Sequence, residues 1–141
     1  MRRFRLLLAI WYALAALDGC YWRRYAELVT THVELLTAMA GKMEDLFARP
    51  RPAQDATMSE FRYPLERARD FARIVRERRG DRESYRRFEA FLRDYQGLVD
   101  DADRLRLEPS PGADRIERFH QRVAELRQKA TAVREAVKQE G

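Results

Sequence analysis

Apolar residues recur every three or four positions along most of this 141-residue chain. Such spacing places them on one side of an α-helix. The first segment has the stripe Tyr21, Tyr25, Leu28, His32, Leu35, Met39, Met43 and Leu46, widened by Val29 and Leu36. Pro50 and Pro52 follow, and a proline disfavours helix in the residue before it. We therefore predict a helix over residues 21–48 and a linker to about residue 56.

The second predicted helix covers residues 57–79. Thr57 and Glu60 have the spacing of a capping box. Pro64 predicts either a kink or a later start, and Gly80 is placed to end the helix as a C′ glycine. Asp81 is then the predicted cap of the next helix. The stripe consists of Phe61, Leu65, Ala68, Ala72 and Val75, backed by Phe71 and Ile74.

The third and fourth predicted helices cover residues 82–106 and 111–139 and are the most regular. A turn-rich linker with Pro109 and Pro111 separates them. The third stripe is Tyr85, Phe88, Leu92, Tyr95, Val99 and Ala102. The fourth is Ile116, Phe119, Val123, Leu126, Ala130, Val133 and Val137.

No stretch alternates with period two over a useful length, so the sequence predicts an all-α fold. Four helices with one apolar stripe each, joined by short linkers, are typical of an antiparallel up-down four-helix bundle. We assign this bundle to residues 20–141. The alternative is a three-helix bundle from which the first helix extends.

The first twenty residues have a different character. Three arginines precede an apolar run of 12 residues, 6–17, and a small residue follows, as in a secretory signal peptide. The sequence Leu17-Asp18-Gly19-Cys20 resembles the lipobox of bacterial prolipoproteins, although that class prefers a small uncharged residue at the position of Asp18. The resemblance implies that residues 1–19 are removed and that Cys20 carries a diacylglycerol and an acylated amino group.

Two other interpretations use the same residues. An uncleaved segment would act as a signal anchor, since residues 6–22 reach the lower limit for a bilayer-spanning helix. Alternatively, the segment is an apolar helix of a soluble core. Tyr21, Trp22 and Tyr25, interleaved with two arginines, are typical of groups at a membrane interface.

The composition of the chain bears on the nature of its surface and on disulfide formation. The chain has 28 basic and 23 acidic residues, a formal net charge of +5, and only Lys42, Lys129 and Lys138 as lysines. Because the two signs are interspersed, most of the charge is expected to lie on an ion-paired surface. The single cysteine excludes a disulfide within the chain.

Two charged clusters are candidates for binding a protein partner. The densest basic patch surrounds Gly80 and contains Arg76, Arg78, Arg79, Arg82, Arg86 and Arg87. These residues complement the dipole at the end of the second helix, or bind lipid head groups, an acidic protein or nucleic acid. Asp100, Asp101 and Asp103 form either a solvated helix end or a site for a cation or a basic partner.

Histidines limit the possible chemistry. His32 is predicted to lie on the first stripe, either hydrogen-bonded to a facing side chain or as a pH-sensitive group. Glu117 and His120 have the Glu-x-x-His spacing of di-iron bundles, but His32 has no such glutamate. We predict no metal, no cofactor and no catalytic constellation, and small-molecule ligands are left open.

Three functional hypotheses follow. The first is a lipid-anchored or single-pass bundle on the periplasmic side of a bacterial membrane, with a binding or scaffolding role. The second is an accessory subunit of a membrane complex, held by an uncleaved N-terminal helix. The third is a cytosolic Arg-rich bundle that binds an acidic protein or nucleic acid; export of the domain would argue against nucleic acid.

Overall fold

The computed structural model describes residues 2–141, and it describes the side chains of residues 16, 17, 19–50 and 52–141. Four α-helices account for nearly all of the chain: α1 (Arg2–Glu44), α2 (Arg51–Arg79), α3 (Glu83–Leu107) and α4 (Ala113–Glu140). A short 3-10 turn, Leu46–Ala48, follows α1. Residues 2–141 contain no β-strand, so the predicted all-α fold is confirmed.

The helices form an antiparallel bundle in which each packs against its neighbours in sequence and α4 returns to α1. Buried hydroxyl groups of α3 contact backbone carbonyls of α2 and set the register of the two helices: the Tyr85 oxygen lies 3.2 Å from the Ala72 carbonyl oxygen, and the Tyr95 hydroxyl donates to the Phe61 carbonyl at 3.0 Å. Across the bundle, α1 also contacts α3. The two ends of the bundle hold different connections between the helices. We call the one holding the α2–α3 turn the turn end, and the one holding the linker prolines the proline end.

The core confirms the stripes of α3 and α4. Every predicted position of these two helices is buried except Ile116, which is half-buried. α3 also buries three apolar residues outside its predicted stripe, since it packs against all three other helices: Phe91, Leu98 and Leu105.

The stripe of α1 agrees with the prediction at Tyr25, Met43 and Leu46, and at Val29 and Leu36, which were predicted to widen it, but it is rotated in the middle of the helix. Its centre consists of Val29, Val33, Leu36, Ala40 and Met43, all fully buried. The predicted centre lies at the edge of the interface. Leu28, His32 and Met39 are half-buried there, and Leu35 is 42% exposed. Two adjacent apolar rows run along this helix, and packing against three neighbours buries the row one residue further along.

α2 begins six residues earlier than predicted. Pro52 lies in its first turn, where a missing N–H costs nothing because no intrahelical acceptor is available there. The Thr57 hydroxyl donates to the Ala53 carbonyl at 2.7 Å inside the helix, so it does not cap it. The helix also continues through Pro64. The predicted stripe is buried, whereas Ile74, predicted to back it, is 76% exposed.

The tight turn between α2 and α3 differs in detail from the prediction. Gly80 has right-handed backbone angles of φ −60° and ψ −23°, so it is not a left-handed C′ glycine. Arg82, and not Asp81, occupies the N-cap position of α3 and forms no capping hydrogen bond through its side chain. One N–H group of the first turn of α3, that of Ser84, binds a side chain from another helix.

The predicted N-terminal segment falls largely on residues 1–15 and Asp18, which lie outside the described side chains. α1 is one continuous helix from Arg2 through the Gly19-Cys20 position. Within the part of the chain whose side chains are described, none of the helices has the length and hydropathy needed to cross a membrane.

Candidate functional site

Cys20 lies where α1 enters the bundle. Its side chain is exposed, Leu17 is 67% exposed, and open space surrounds the Cα of Gly19. Tyr21, the next residue, already contacts α2 through its ring. A group attached to the Cys20 sulfur would therefore lie in solvent, one residue away from the packed turn end.

Two of the predicted arginines pack on aromatic rings at this end. The Arg78 guanidinium lies 4.9 Å from the ring centroid of Tyr21. Arg79 is surrounded by three rings, with centroids at 5.4 Å for Tyr21, 5.0 Å for Trp22 and 5.6 Å for Tyr25. Such cation–π contacts contribute about 0.5–2 kcal/mol each, more when desolvated. Both arginines are thus engaged in joining α2 to α1.

A hydrogen-bond cluster at the turn end supplies the missing cap of α3. The Glu140 carboxylate, from the end of α4, accepts the Ser84 N–H at 2.9 Å and the Ser84 hydroxyl at 2.6 Å. The Tyr25 hydroxyl lies 3.1 Å from the same serine oxygen. Burial raises the pKa of Tyr25, and the nearby Glu140 charge raises it further. A carboxylate at a helix N-terminus interacts favourably with the helix dipole and its free N–H groups. Because Tyr25, Ser84 and Glu140 come from three helices, the cluster joins α1, α3 and α4.

The last arginines of the predicted patch have different surroundings. Arg87 and Arg86 bind the Glu83 carboxylate at 2.7 and 3.0 Å, and these hydrogen bonds lower the pKa of Glu83. Arg82 is exposed and has no ion-pair partner among the side chains that the structure describes. Four arginines of the predicted patch thus already have partners within the bundle, and partner binding by the patch stays a prediction.

Arg76, a residue of the predicted patch, also lines a second surface whose other arginines were not in that patch. A shallow groove of about 250 Å³ runs between α2 and α3, and its rim is formed by Arg69, Arg73, Arg76 and Arg93. We call it the arginine groove. Ala72, Tyr85 and Leu92, each at most 5% exposed, line its floor together with the half-buried Glu89. Burial and the Glu89 contact raise the pKa of Tyr85 to about 12, so its hydroxyl stays protonated at neutral pH and donates a hydrogen bond to the Glu89 carboxylate.

The acidic cluster of α3 is used within the bundle. Asp101 binds Arg104 at 2.6 Å and also pairs with Arg122 of α4. Asp103 binds Arg62 of α2 at 2.9 Å and Arg106 at 2.6 Å. Asp100 is exposed and accepts a hydrogen bond from Gln96 at 2.7 Å. Two of the three predicted carboxylates therefore join helices.

His32 packs against rings instead of a polar neighbour. Its imidazole centroid lies 5.2 Å from that of Phe71 and 6.4 Å from that of Phe88, and it has no hydrogen bond within the described part of the chain. Burial lowers the pKa of His32, and the positive charge of Arg67 lowers it further. The predicted hydrogen bond is absent, and the prediction of a pH-sensitive group stays a prediction.

The possible metal ligands do not converge. Glu117 is exposed and His120 half-buried near the start of α4, and the His120 ring contacts Phe119 with centroids 6.4 Å apart. No group of three or more His, Cys, Asp or Glu side chains able to hold a metal ion occurs among the residues that the structure describes.

Comparison of the chain with protein-family models, curated proteins and solved structures finds no match. The groove residues Arg69, Arg73 and Arg93 were not among the predicted site residues. The spacing of Arg69, Arg73 and Arg76 by four and three residues was the available signal, because it places all three on one side of α2.

Proposed function

We propose that this chain is a membrane-tethered helical bundle of the bacterial cell envelope, with a binding or scaffolding role. The observation that carries the proposal is the exposed Cys20 beside the turn end. Lipid attached there would connect to α1 with almost no intervening chain. The turn end would then lie next to the bilayer.

The chemistry of the turn end supports this orientation. Tyr21 and Trp22 are half-buried, and they carry Arg78 and Arg79 on their rings. Exposed Arg82 lies on the following turn. Aromatic rings favour the head-group level of a membrane, and basic groups near it are attracted by anionic lipids, by about 1 kcal/mol each.

The lipid itself accounts for stable anchoring. Burial of an acyl chain contributes about 0.8 kcal/mol per CH₂, and stable attachment needs two anchoring signals. Diacylglycerol on Cys20 meets this requirement, and the basic turn end adds to it. Within this proposal the arginines orient the bundle, whereas the lipid holds it.

The continuity of α1 favours a second candidate. The helix passes through Gly19 and Cys20 without interruption, as expected if residues 1–19 stay attached and the protein is an accessory subunit of a membrane complex. The bundle would project from the membrane in the same orientation. The two candidates differ in the covalent state of Cys20 and in the length of the mature chain.

Intact mass spectrometry of the protein from fractionated cells separates the candidates. We expect the wild-type protein in membranes, without residues 1–19 and with added acyl mass, and Cys20→Ser unprocessed. Ser59→Cys in the Cys20→Ser background is the matched control, because Ser59 is exposed on α2 and its cysteine should not restore lipid. An unprocessed, membrane-bound wild type would support the accessory subunit, and an unprocessed soluble wild type would contradict both candidates.

A further inference from the structure

The arginine groove holds more positive charge than the bundle neutralises. Arg69, Arg76 and Arg93 have no ion-pair partner within the described part of the chain, and Arg73 pairs only with the neighbouring Asp70, at 2.9 Å. Glu89 is the one carboxylate of the lining, and it accepts the Tyr85 hydroxyl at 2.9 Å. Like charges three and four residues apart on a helix repel each other. An anion in the groove would relieve this repulsion.

The spacing of the arginines indicates what kind of anion the groove would bind. Arg69, Arg73 and Arg76 follow one another along α2 over about 10 Å, at 1.5 Å per residue, and Arg93 lies on the opposite rim. A row of this length has room for more than one anionic group. Because each guanidinium binds a carboxylate through two parallel hydrogen bonds, the row suits several carboxylates presented along one chain.

We propose that the arginine groove docks an acidic segment of a partner protein. Its volume of about 250 Å³ is below the usual range for small-molecule sites, and its rim side chains are exposed, so it would not enclose a small ligand. Arginine beside an aromatic or apolar floor is typical of the residues that dominate protein interfaces. The floor of Tyr85 and Leu92 would receive apolar side chains between the acidic ones.

The choice of a protein over a lipid surface rests on the proposed tether. With the turn end against the bilayer, the groove on the side of α2 and α3 opens parallel to the membrane. A peripheral or soluble segment reaches such a surface more readily than lipid head groups do. The groove would therefore give the tethered bundle its binding partner.

The test measures binding of a labelled oligoglutamate peptide to the full-length protein in nonionic detergent at low ionic strength. The groove variant is Arg69→Gln/Arg76→Gln/Arg93→Gln. Its control is Arg104→Gln/Arg115→Gln/Arg118→Gln, which removes the same charge from arginines that each pair with a carboxylate. We expect the groove variant to weaken binding about tenfold or more, and the control by less than about threefold. Unchanged circular dichroism and melting temperature would show that both variants fold.

Equal losses in the two variants would contradict the groove as a site. Inorganic tripolyphosphate and vesicles containing phosphatidylglycerol are measured in parallel. Stronger groove-dependent binding of either probe than of oligoglutamate would overturn the assignment to a protein partner. Repeating the peptide titration in the Cys20→Ser background separates the two proposals, since groove binding without lipid attachment leaves the site valid when the tether fails.

Discussion

The two halves of the α2–α3 surface contain the same residue types but pair them differently. Towards the proline end, Arg62 binds Asp103 at 2.9 Å, and Arg106 binds Asp103 and also pairs with Asp55. We call this the paired half. Towards the turn end, the lining of the arginine groove has four guanidinium groups and one carboxylate, that of Glu89, which already accepts the Tyr85 hydroxyl.

This difference shows that the availability of charge depends on the register of the helices and not on local composition. The densest run of basic residues lies around Gly80 and was a candidate for binding a partner. In the structure, Arg78 and Arg79 lie on aromatic rings. Arg86 and Arg87 both bind the Glu83 carboxylate. A less dense row on α2 faces α3 where α3 offers few acids. The local density of basic residues therefore does not show which of them are left without a carboxylate.

The largest expected effect concerns the core beneath the two halves. Phe61 lies under the paired half and is fully buried, and Leu92 lies under the groove and is 4% exposed. We expect Phe61→Ala to lower the free energy of unfolding by about 3–5 kcal/mol and Leu92→Ala by about 2–5 kcal/mol, because each leaves a cavity. Guanidinium chloride unfolding followed by circular dichroism measures both.

Tyr63 provides the control for this pair, since it lies two residues from Phe61 and is 62% exposed. Tyr63→Ala should change the free energy of unfolding by less than about 0.5 kcal/mol. If Leu92→Ala were equally mild, the core beneath the groove would be loosely packed, and the two halves would differ in packing as well as in charge.

A smaller effect is expected from breaking the ion pairs of the paired half. Asp103→Asn leaves Arg62 and Arg106 without this carboxylate. The Asp103 and Arg106 side chains are only 28% and 18% exposed, so solvent screens their interaction incompletely. We expect a loss of about 1 kcal/mol in the free energy of unfolding, in the same denaturation experiment.

Asp100→Asn is the matched substitution, because the exposed Asp100 carboxylate binds only Gln96 through its side chain. Its expected cost is less than about 0.5 kcal/mol. A loss for Asp103→Asn no greater than that for Asp100→Asn would mean that the ion pairs of the paired half contribute nothing to stability. Charge pairing would then distinguish the halves in binding alone.

Much of the fold could be predicted from the sequence, because α3 and α4 each have one regular apolar stripe. α1 could not be oriented in this way, since the row with Leu28 and His32 and the row with Val29 and Val33 are both apolar. Only packing against three neighbours selects between them. The start of α2 was missed because proline ends a helix in some positions and is accepted in the first turn in others.

The candidate site was less accessible to sequence reasoning. Cys20 became a candidate because Leu17 and Gly19 give it a lipobox-like pattern, and lipid attachment there stays a prediction. The cap of Ser84 by Glu140 joins residues 56 positions apart, and local cap patterns cannot indicate such a contact. The row Arg69, Arg73 and Arg76 is visible on α2, but its lack of carboxylates depends on the residues that α3 places opposite it.

The smallest expected effect tests whether unpaired arginine charge reaches beyond the groove. Arg67, on α2, has no ion-pair partner among the described side chains, and its charge adds to burial in lowering the pKa of His32. His32 is therefore neutral in the folded protein at pH 7, whereas an unfolded histidine takes up a proton near pH 6.5. As the pH falls through this value, the unfolded state binds more protons, so the stability of the fold decreases.

Denaturation midpoints measured from pH 8 to pH 5, values that bracket the titration of an unperturbed histidine, should fall less steeply in His32→Leu than in the wild type. Arg67→Gln should give an intermediate slope, because it removes the repulsion and keeps the imidazole buried between Phe71 and Phe88. Equal slopes in the wild type and His32→Leu would contradict the pH-sensitive role of His32. If the denaturation midpoints of the wild type and Arg67→Gln depend equally on pH, burial alone lowers the pKa of His32. The charge of Arg67 would then have no measurable effect, and an effect of unpaired arginines would be limited to the groove.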